Sequence, residues 1–165
     1  MKLEIKSNLR ILMALNNINS LRELGQKANL SWKIISNLDN NVDIENTQIG
    51  NLIKVCNALN TTLDNLIEIN YGNRQIDKSK IEEMKSLIRI ENSETENSIT
   101  SNLRLLMALN NIKTLKELEK LSNTSWKILS NLDKNTGIDT IRLINLLKVC
   151  VALNCTLGEL LNINQ

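Results

Sequence analysis

Apolar residues recur along this chain at intervals of three and four, the spacing that lines one face of an α-helix. In the first such stretch they are Leu9, Leu12, Met13 and Leu15. A serine and an asparagine precede them at positions 7 and 8, and either residue can cap the start of a helix. The polar run from Asn16 ends the stretch, so the pattern predicts a short first helix with one apolar face.

The same pattern occurs a second time later in the chain. When the chain is aligned with itself at an offset of 94, residues 7–70 pair with 101–164 without a gap, and 38 of the 64 pairs are identical. A unit of this length that occurs only twice is too long for a solenoid repeat and indicates a duplicated small domain. We therefore expect one domain over 1–70, a second over 101–165, and a linker over 71–100.

A second helix is predicted in each copy by a Ser/Thr-x-x-Glu pattern. Ser20 and Glu23 form it in the first copy, and Thr114 and Glu117 form it in the second. In such a capping box the hydroxyl accepts one unpaired amide hydrogen at the helix start, and the glutamate reaches back to another. Both copies should therefore begin a short helix here.

A third helix follows after a sharp turn. In the first copy Asn29 lies where the second helix must end, because asparagine tolerates a left-handed backbone conformation. Ser31 is then placed to cap the third helix, in which Ile35 and Leu38 have the spacing of core positions. A fourth and a short fifth helix complete each copy. The pattern predicts an all-α fold of two tandem five-helix domains.

Composition narrows the classes of function. Hydrophobic residues make up 42% of the chain, which has no proline, no phenylalanine and no histidine. Histidine is the commonest general acid–base group and the commonest metal ligand. The sequence also lacks a nucleophile with a neighbouring base, a phosphate-binding loop and a metal-ligand cluster. We therefore expect neither enzyme activity nor a cofactor.

The sequence gives no sign of a membrane segment or of disulfide bonds. No apolar run approaches the length of about 20 residues that a spanning helix needs, and Met1–Lys6 lacks the apolar core of a signal peptide. The three cysteines are odd in number and lack C-x-x-C spacing, which argues against a disulfide framework or a zinc site. Cys56 and Cys150 share a repeat position and are expected to be small buried residues, with Cys155 an incidental thiol. The chain is expected to be soluble and intracellular.

Charge is unevenly divided between the copies. The formal net charge of the chain is +2. Residues 7–70 carry five basic and six acidic side chains, a net −1, whereas residues 101–164 carry eight and five, a net +3. Domains that bind nucleic acid are often more basic. Charge therefore supports such a function only weakly, and mainly through the second copy.

Both copies carry one family pattern over nearly their whole length. The first copy runs Leu24-Gly25, Leu30-Ser31, Ile35, Leu38-Asp39, and later "VCNAL" and "TLDNL". The second runs Leu118-Glu119, Thr124-Ser125, Leu129, Leu132-Asp133, and later "VCVAL" and "TLGEL". The pattern resembles the Cro/repressor (XRE-like) class of phage and bacterial helix-turn-helix domains.

The chain departs from that family in three ways, of which one is the absence of the proline that usually precedes the fourth helix. The glycine that usually follows the third helix is Asn41 or Asn135. The basic residue of the first helix that often pairs with the acid of the third is an alanine in both copies. Asp39 therefore needs another partner, for which Arg10 is a candidate, as is Arg104 for the second copy.

The resemblance implies that the third helix enters the major groove of double-stranded DNA and reads base edges. The DNA-binding residues that it implies are Ser31, Trp32, Lys33, Ser36, Asn37, Asn40, Ser125, Trp126, Lys127, Ser130, Asn131 and Lys134. Lysine suits guanine or phosphate, asparagine suits adenine, and serine suits several acceptors. In the alternative interpretation, each tryptophan belongs to a core or a domain interface and the lysines are only solvated.

The connector over 71–100 has no counterpart in the repeat. Ser79 begins a further capping-box pattern with apolar residues at helical spacing behind it, which predicts a helix near 80–91. The apolar stripe of this helix would cover one domain, bridge the two, or form a homodimer contact.

Sequence-specific binding of double-stranded DNA is the leading hypothesis, in a transcriptional regulator of a bacterium, phage or mobile element. Duplication would supply in one chain the two reading helices that most members of the family obtain by dimerising, so two similar half-sites are expected. The alternative is a protein-binding inhibitor on the same fold, such as an anti-CRISPR-type phage protein or an antitoxin. A protein partner or a homodimer stays open, and no membrane partner is expected. The expected location is the cytoplasm of a bacterial cell or of a phage-infected host.

Overall fold

The computed structural model describes residues 3–70 and 98–163, in which both copies have the same order of elements. The first copy contains β1 (Glu4–Ser7), α1 (Leu9–Leu15), α2 (Leu21–Ala28), α3 (Trp32–Asp39), a 3₁₀ helix at Ile44–Asn46, α4 (Ile49–Ala58), α5 (Leu63–Leu66) and β2 (Ile67–Asn70). The second contains β3 (Ile99–Ser101), α6 (Leu103–Leu109), α7 (Leu115–Ser122), α8 (Trp126–Asp133), a 3₁₀ helix at Ile138–Thr140, α9 (Leu143–Ala152), α10 (Leu157–Leu160) and β4 (Leu161–Ile163). The helix predicted near 80–91 lies outside the described residues.

Two small antiparallel sheets correct the all-α prediction. β1 pairs with β2 so that Glu4 lies opposite Asn70, and β3 pairs with β4 so that Ile99 lies opposite Ile163. Exposed and half-buried residues alternate along β1, as expected for a strand with one face toward the core. The fold is therefore mostly helical, with a two-stranded sheet that joins the beginning and end of each copy.

Asparagine supplies most of the left-handed turns. Asn29 and Asn123 end α2 and α7 with φ of 53° and 51°, which confirms the predicted turn. Six further asparagines of the described residues have positive φ, namely Asn17, Asn41, Asn60, Asn111, Asn135 and Asn154. Among residues with a side chain, asparagine adopts this conformation at low cost. The chain can thus turn sharply between short helices although it has only five glycines.

The predicted capping box of α2 forms with one change. Ser20 Oγ accepts the amide hydrogen of Glu23 at 3.1 Å, as expected. The glutamate reaches one residue further back than predicted, since its Oε2 accepts the amide hydrogen of Asn19 at 3.0 Å. The same two bonds recur at the start of α7. The glutamate still satisfies a backbone donor beside the helix start, which fixes the path of the chain into the helix.

The core follows the predicted periodicity with one exception. Leu9 and Met13 of α1 are buried, and Ile35 and Leu38 of α3 are fully buried. Leu15, predicted to share the apolar face of α1, is instead 74% exposed. Because a helix has 3.6 residues per turn, Leu15 lies about 200° around the axis from Met13. It therefore points away from the core.

The two copies pack against each other at a short antiparallel bridge. Gln48 pairs with Arg142, which occupies the same repeat position. The amide of Ile49 donates to the carbonyl of Ile141 at 2.9 Å, and the equivalent bond with the copies exchanged has the same length. Contacts that recur when the partners are exchanged indicate a two-fold axis. The copies are therefore related by an approximate two-fold axis through this bridge.

Helices complete the contact between the copies. α4 packs against the 3₁₀ helix of the second copy, α9 packs against that of the first, and α5 contacts α10. We call this surface the repeat interface, defined by residues 45–50, 139–144, Asp64 and Gly158. Buried residues of both copies join one continuous apolar cluster, so α3 and α8 are held on a common support.

Candidate nucleic-acid interface

The turn between α2 and α3 is short and tightly closed. Three residues separate the two helices, and the amide of Leu30 donates to the carbonyl of Gly25 at 2.9 Å. Gly25 is buried, and a Cβ there would lie 3.3 Å from the oxygen of Leu30. The two helices therefore pack closely and leave the outer side of α3 to solvent.

The open sides of α3 and α8 carry the residues that the sequence singled out. On α3 they are Trp32, Lys33, Ser36 and Asn37, and on α8 they are Trp126, Lys127, Ser130 and Asn131. In each set the tryptophan and lysine are exposed, and the serine and asparagine are half-buried. We call these two sets the reading faces, and α3 and α8 the reading helices, after the role that the sequence predicts for them. Their members stand at i, i+1, i+4 and i+5, which places them on one side of the helix.

Both tryptophans lie at the surface. Trp32 is 60% exposed and Trp126 is 51% exposed. A core tryptophan would have most of its surface buried, so the core interpretation of these residues is wrong. Two large rings left open to solvent at matching positions are available for contact with another molecule.

The serines before the reading helices do not act as predicted. Ser31 and Ser125 stand at the N-cap positions of α3 and α8 and are exposed, but neither side chain makes a capping hydrogen bond. Their hydroxyl groups are therefore not used to cap the helices.

A glutamate closes the start of α8 instead. Glu119 Oε1 accepts the amide hydrogen of Trp126 at 2.8 Å. The first copy has Gly25 at the equivalent position, and there a cleft of about 420 Å³ opens between α2 and α3, bordered by Arg22 and Trp32. The two reading faces therefore have different surroundings at their amino-terminal ends.

The carboxyl-terminal ends of the reading helices also differ. Asn40 Nδ2 donates to the backbone oxygen of Ser36 at 2.8 Å and to its Oγ at 3.2 Å. In the second copy the equivalent residue is Lys134, which is exposed. The first copy therefore ties its reading-face serine to the helix end, whereas the second presents a positive charge there.

An ion pair anchors each reading helix to the first helix of its copy. Arg10 Nη2 donates to Asp39 Oδ2 at 2.6 Å, while Arg10 Nε donates to the other carboxylate oxygen. Arg104 and Asp133 form the same pair, at 2.7 Å. The pKa of Arg10 is raised, first by the hydrogen bond to Asp39 and then by its charge. The arginine partners suggested by the sequence are confirmed.

A contact that the sequence did not predict joins the reading helices to the sheets. Asn41 Oδ1 accepts the amide hydrogen of Ser7 at 2.7 Å, and Asn135 Oδ1 accepts that of Ser101 at 2.7 Å. Both asparagines have positive φ and stand where the family pattern has glycine. Asparagine in place of the family's glycine was the sequence signal for this contact, since asparagine tolerates the left-handed turn and adds a side-chain acceptor.

The described residues contain no group of His, Cys, Asp or Glu suited to hold a metal ion. None of the helices in the described ranges is long and apolar enough to cross a membrane. Cys56, Cys150 and Cys155 are all buried and free of disulfides. Burial raises the pKa of Cys56 to about 12, with the charge of Asp64 as a second cause. These thiols lie in the core and take no part in the reading faces.

Comparison with known families identifies the repeated unit. A family model described as the Cro/C1-type HTH DNA-binding domain matches residues 8–71 and again residues 102–165. Searches of curated proteins and of solved structures gave no match. The matched segments begin at Asn8 and Asn102, the cap positions of α1 and α6, and together they cover most of the chain. The chain therefore belongs to the Cro/C1-type helix-turn-helix DNA-binding family, whose domain it carries twice in tandem.

Proposed function

We propose that this chain binds double-stranded DNA at a specific sequence and regulates transcription in a bacterium, phage or mobile element. The observation that carries the proposal is the doubled reading face, in which the same four residues stand on the open sides of α3 and α8. Elsewhere exposed positions have diverged, as in Gln26 and Lys120. Identity on this face supports a task that both copies share. The proposed function is binding and involves no chemical step.

Each residue type on the reading faces suits a part of the duplex. Lys33 and Lys127 can donate to guanine O6 or N7, or to a phosphate, and the asparagines can make paired hydrogen bonds to adenine. The exposed rings of Trp32 and Trp126 can pack on a thymine methyl group or a sugar, and their N–H groups can donate to a phosphate oxygen. These contacts combine base recognition with positioning on the backbone.

The approximate two-fold axis supports a site made of two inverted half-sites. The bridge between Gln48 and Arg142 relates α3 to α8 by a half-turn. In helix-turn-helix dimers the symmetry of the operator mirrors that of the protein. Two similar reading faces would therefore meet similar base sequences on opposite strands, with centres about 34 Å apart, one turn of the duplex.

A protein-binding inhibitor on the same fold, of the anti-CRISPR or antitoxin kind, is the second candidate. Acidic groups near the reading faces favour it, since Glu119 lies at the start of α8 and residues 7–70 carry a net −1. Exposed tryptophan is also a residue type that anchors protein interfaces. In this alternative the reading faces would bind a protein surface and not DNA.

Selection of bound duplexes from a random DNA pool, at two salt concentrations, tests the proposal. We expect enrichment of one sequence with two similar elements, and a complex that weakens steeply with added salt because bound lysines and arginines release counterions from the phosphates. The control is the chain with both Lys33→Ala and Lys127→Ala, in which base preference should relax in both half-sites. A salt-insensitive complex, or no enrichment at low salt, would favour the inhibitor.

A further inference from the structure

The repeat interface is built from unlike residues. Positions 45–50 and 139–144 surround the bridge between Gln48 and Arg142, and the copies differ at all six of these aligned positions. No other run of differences between the aligned copies is as long. The surface on which the copies meet is thus the surface on which they have diverged most.

Asp64 and Gly158 face each other across the axis. They occupy the same repeat position, on α5 and α10. A Cβ at Gly158 would lie 3.2 Å from Asp64 Cγ and nearer still to a carboxylate oxygen. If both copies held aspartate here, two like charges would meet at contact distance, where their repulsion is strong. The interface has room for one carboxylate.

Gly50 makes a second unlike contact. A Cβ at Gly50 would lie 3.0 Å from the backbone oxygen of Asp139 and 3.1 Å from its Cβ. The second copy has Ile144 at the position equivalent to Gly50. An isoleucine at position 50 would require α4 and the backbone at Asp139 to move apart, because a single Cβ there is already crowded. The close approach of α4 to the second 3₁₀ helix therefore depends on glycine in the first copy.

From these contacts we infer that the repeat interface pairs one first copy with one second copy and rejects pairs of like copies. Two first copies would bring Asp64 against another Asp64. Two second copies would lack the glycine that lets α4 approach the backbone at Asp139 so closely. A pair of one first copy and one second copy avoids both of these unfavourable arrangements. The surface of the first copy therefore fits the second copy of its own chain.

One chain then presents both reading faces without a second chain. Joining the copies in one polypeptide favours this pairing further, since a linked partner acts at an effective concentration of about millimolar. The consequence for DNA recognition rests on the proposed function. The pairing itself does not, and it can be measured with no DNA present.

Cysteines placed at the bridge test the pairing in the full chain. Gln48→Cys with Arg142→Cys puts two thiols at opposed positions of an antiparallel pair, whose Cα atoms lie about 4.5–5.5 Å apart, within disulfide range. Oxidised glutathione should convert most chains to a cross-linked monomer, seen on non-reducing gels and by mass. The chain without the new cysteines is the control, since its own three are buried. Cross-linked dimers, or no cross-link, would overturn pairing within one chain.

Selectivity is tested in the same double-cysteine chain by substitutions that give both copies the same residue at one position of the repeat interface. Gly50→Ile and Gly158→Asp each install a residue that the other copy already holds at the equivalent position, so the domain fold accommodates it. Each should slow cross-linking roughly tenfold, the effect expected of overpacking or of opposed like charges. Gly158→Ala is the control for size at that position and should change little, because the carboxylate of Asp64 can turn aside.

The exchange of Asp64→Gly with Gly158→Asp gives the sharpest outcome. It only reverses the unlike pair, so cross-linking should return to the parent rate. Unchanged cross-linking rates in Gly50→Ile and Gly158→Asp would overturn the selectivity. So would an exchange variant that cross-links slowly although circular dichroism shows that its helices are intact. Normal cross-linking in a chain that binds no DNA would support the pairing and count against the proposed function alone.

Discussion

Glu119 Oε1 accepts the amide hydrogen of Trp126 at 2.8 Å, so a carboxylate closes the start of the second reading helix. The first copy has Gly25 in that position, and the start of α3 borders an open cleft. A carboxylate at the start of a helix stabilises the helix. It also repels a phosphate that approaches the same amides. The two reading faces therefore carry the same residues beside different charges.

Glu119→Gln should strengthen DNA binding. The amide oxygen of glutamine can still accept from Trp126, so the helix start is kept while the negative charge is removed. We expect affinity for the selected duplex to rise about two- to fivefold at low salt, the effect of one charge at a helix end. Fluorescence anisotropy titration measures this rise. Gly25→Glu should lower affinity by a similar factor, and both effects should shrink in high salt. A Glu119→Gln variant that binds DNA no more tightly than the parent would show that Glu119 lies away from the phosphates of the bound DNA.

Lys33→Ala and Lys127→Ala should each relax base preference in one half-site only. A lysine that reads a guanine contributes about 1–3 kcal/mol of discrimination. The loss of affinity should be larger for Lys127, because residues 101–164 carry a net +3 and residues 7–70 a net −1. Selection from a random pool with each variant measures both effects. Equal losses of affinity would show that net charge does not determine how much each copy contributes to binding. An unchanged selected sequence would show that the lysines do not read bases.

Much of the core and of the reading faces could be predicted from the sequence. Ile35 and Leu38 are buried because their spacing matches the helical period, and Lys33 on the opposite side of the helix is exposed for the same reason. Asn29 ends its helix because few other residues adopt its conformation. These features depend on local geometry, which the residue pattern carries directly.

Contacts between distant segments could not be predicted in the same way. The strand at Glu4–Ser7 is four residues long and mostly precedes the repeated segment, so its alternation was too short to recognise. The bridge at Gln48 depends on how two folded copies meet, which no local pattern specifies. The bond from Trp126 to Glu119 could not be predicted either, because it depends on a side chain of the preceding helix that reaches the first amide of α8.

Asp39→Asn should loosen the reading helix of the first copy. The arginine of α1 holds both carboxylate oxygens of Asp39, and an amide can accept only one of those two bonds. We expect the melting temperature to fall by a few degrees. DNA binding should also weaken, although the loss of a negative charge by itself would favour it. Asp133→Asn is the matched variant for α8. Tighter binding in either variant would show that charge outweighs anchoring.

The native thiols should resist modification. Burial raises the pKa of Cys56 to about 12, and burial followed by a hydrogen bond with Cys155 raises that of Cys150. The thiolate is the reactive form, so an aromatic disulfide reagent at pH 8 should label no thiol in the folded chain and all three in denaturant. Rapid labelling of the folded chain would contradict the burial.

Stability should fall at alkaline pH for the same reason. The unfolded chain loses the Cys56 proton near the ordinary pKa of 9.0, while the folded chain keeps it until about pH 12. Between these values the unfolded state binds fewer protons, so the free energy of unfolding decreases as pH rises. Urea titrations at several pH values measure the slope, and Cys56→Ala should make it shallower. An identical slope in that variant would assign the alkaline loss to other groups.

The arrangement of half-sites on DNA tests the paired reading faces most directly. The full chain is titrated against duplexes that carry the selected element twice inverted, twice direct, or once, with centre-to-centre spacings varied around one turn of about 10 bp. Two similar faces related by a half-turn in one chain predict one chain per duplex, with the tightest binding to the inverted pair at one-turn spacing and much weaker binding to the single element. Equal affinity for all three arrangements, or two chains on each inverted site, would contradict it.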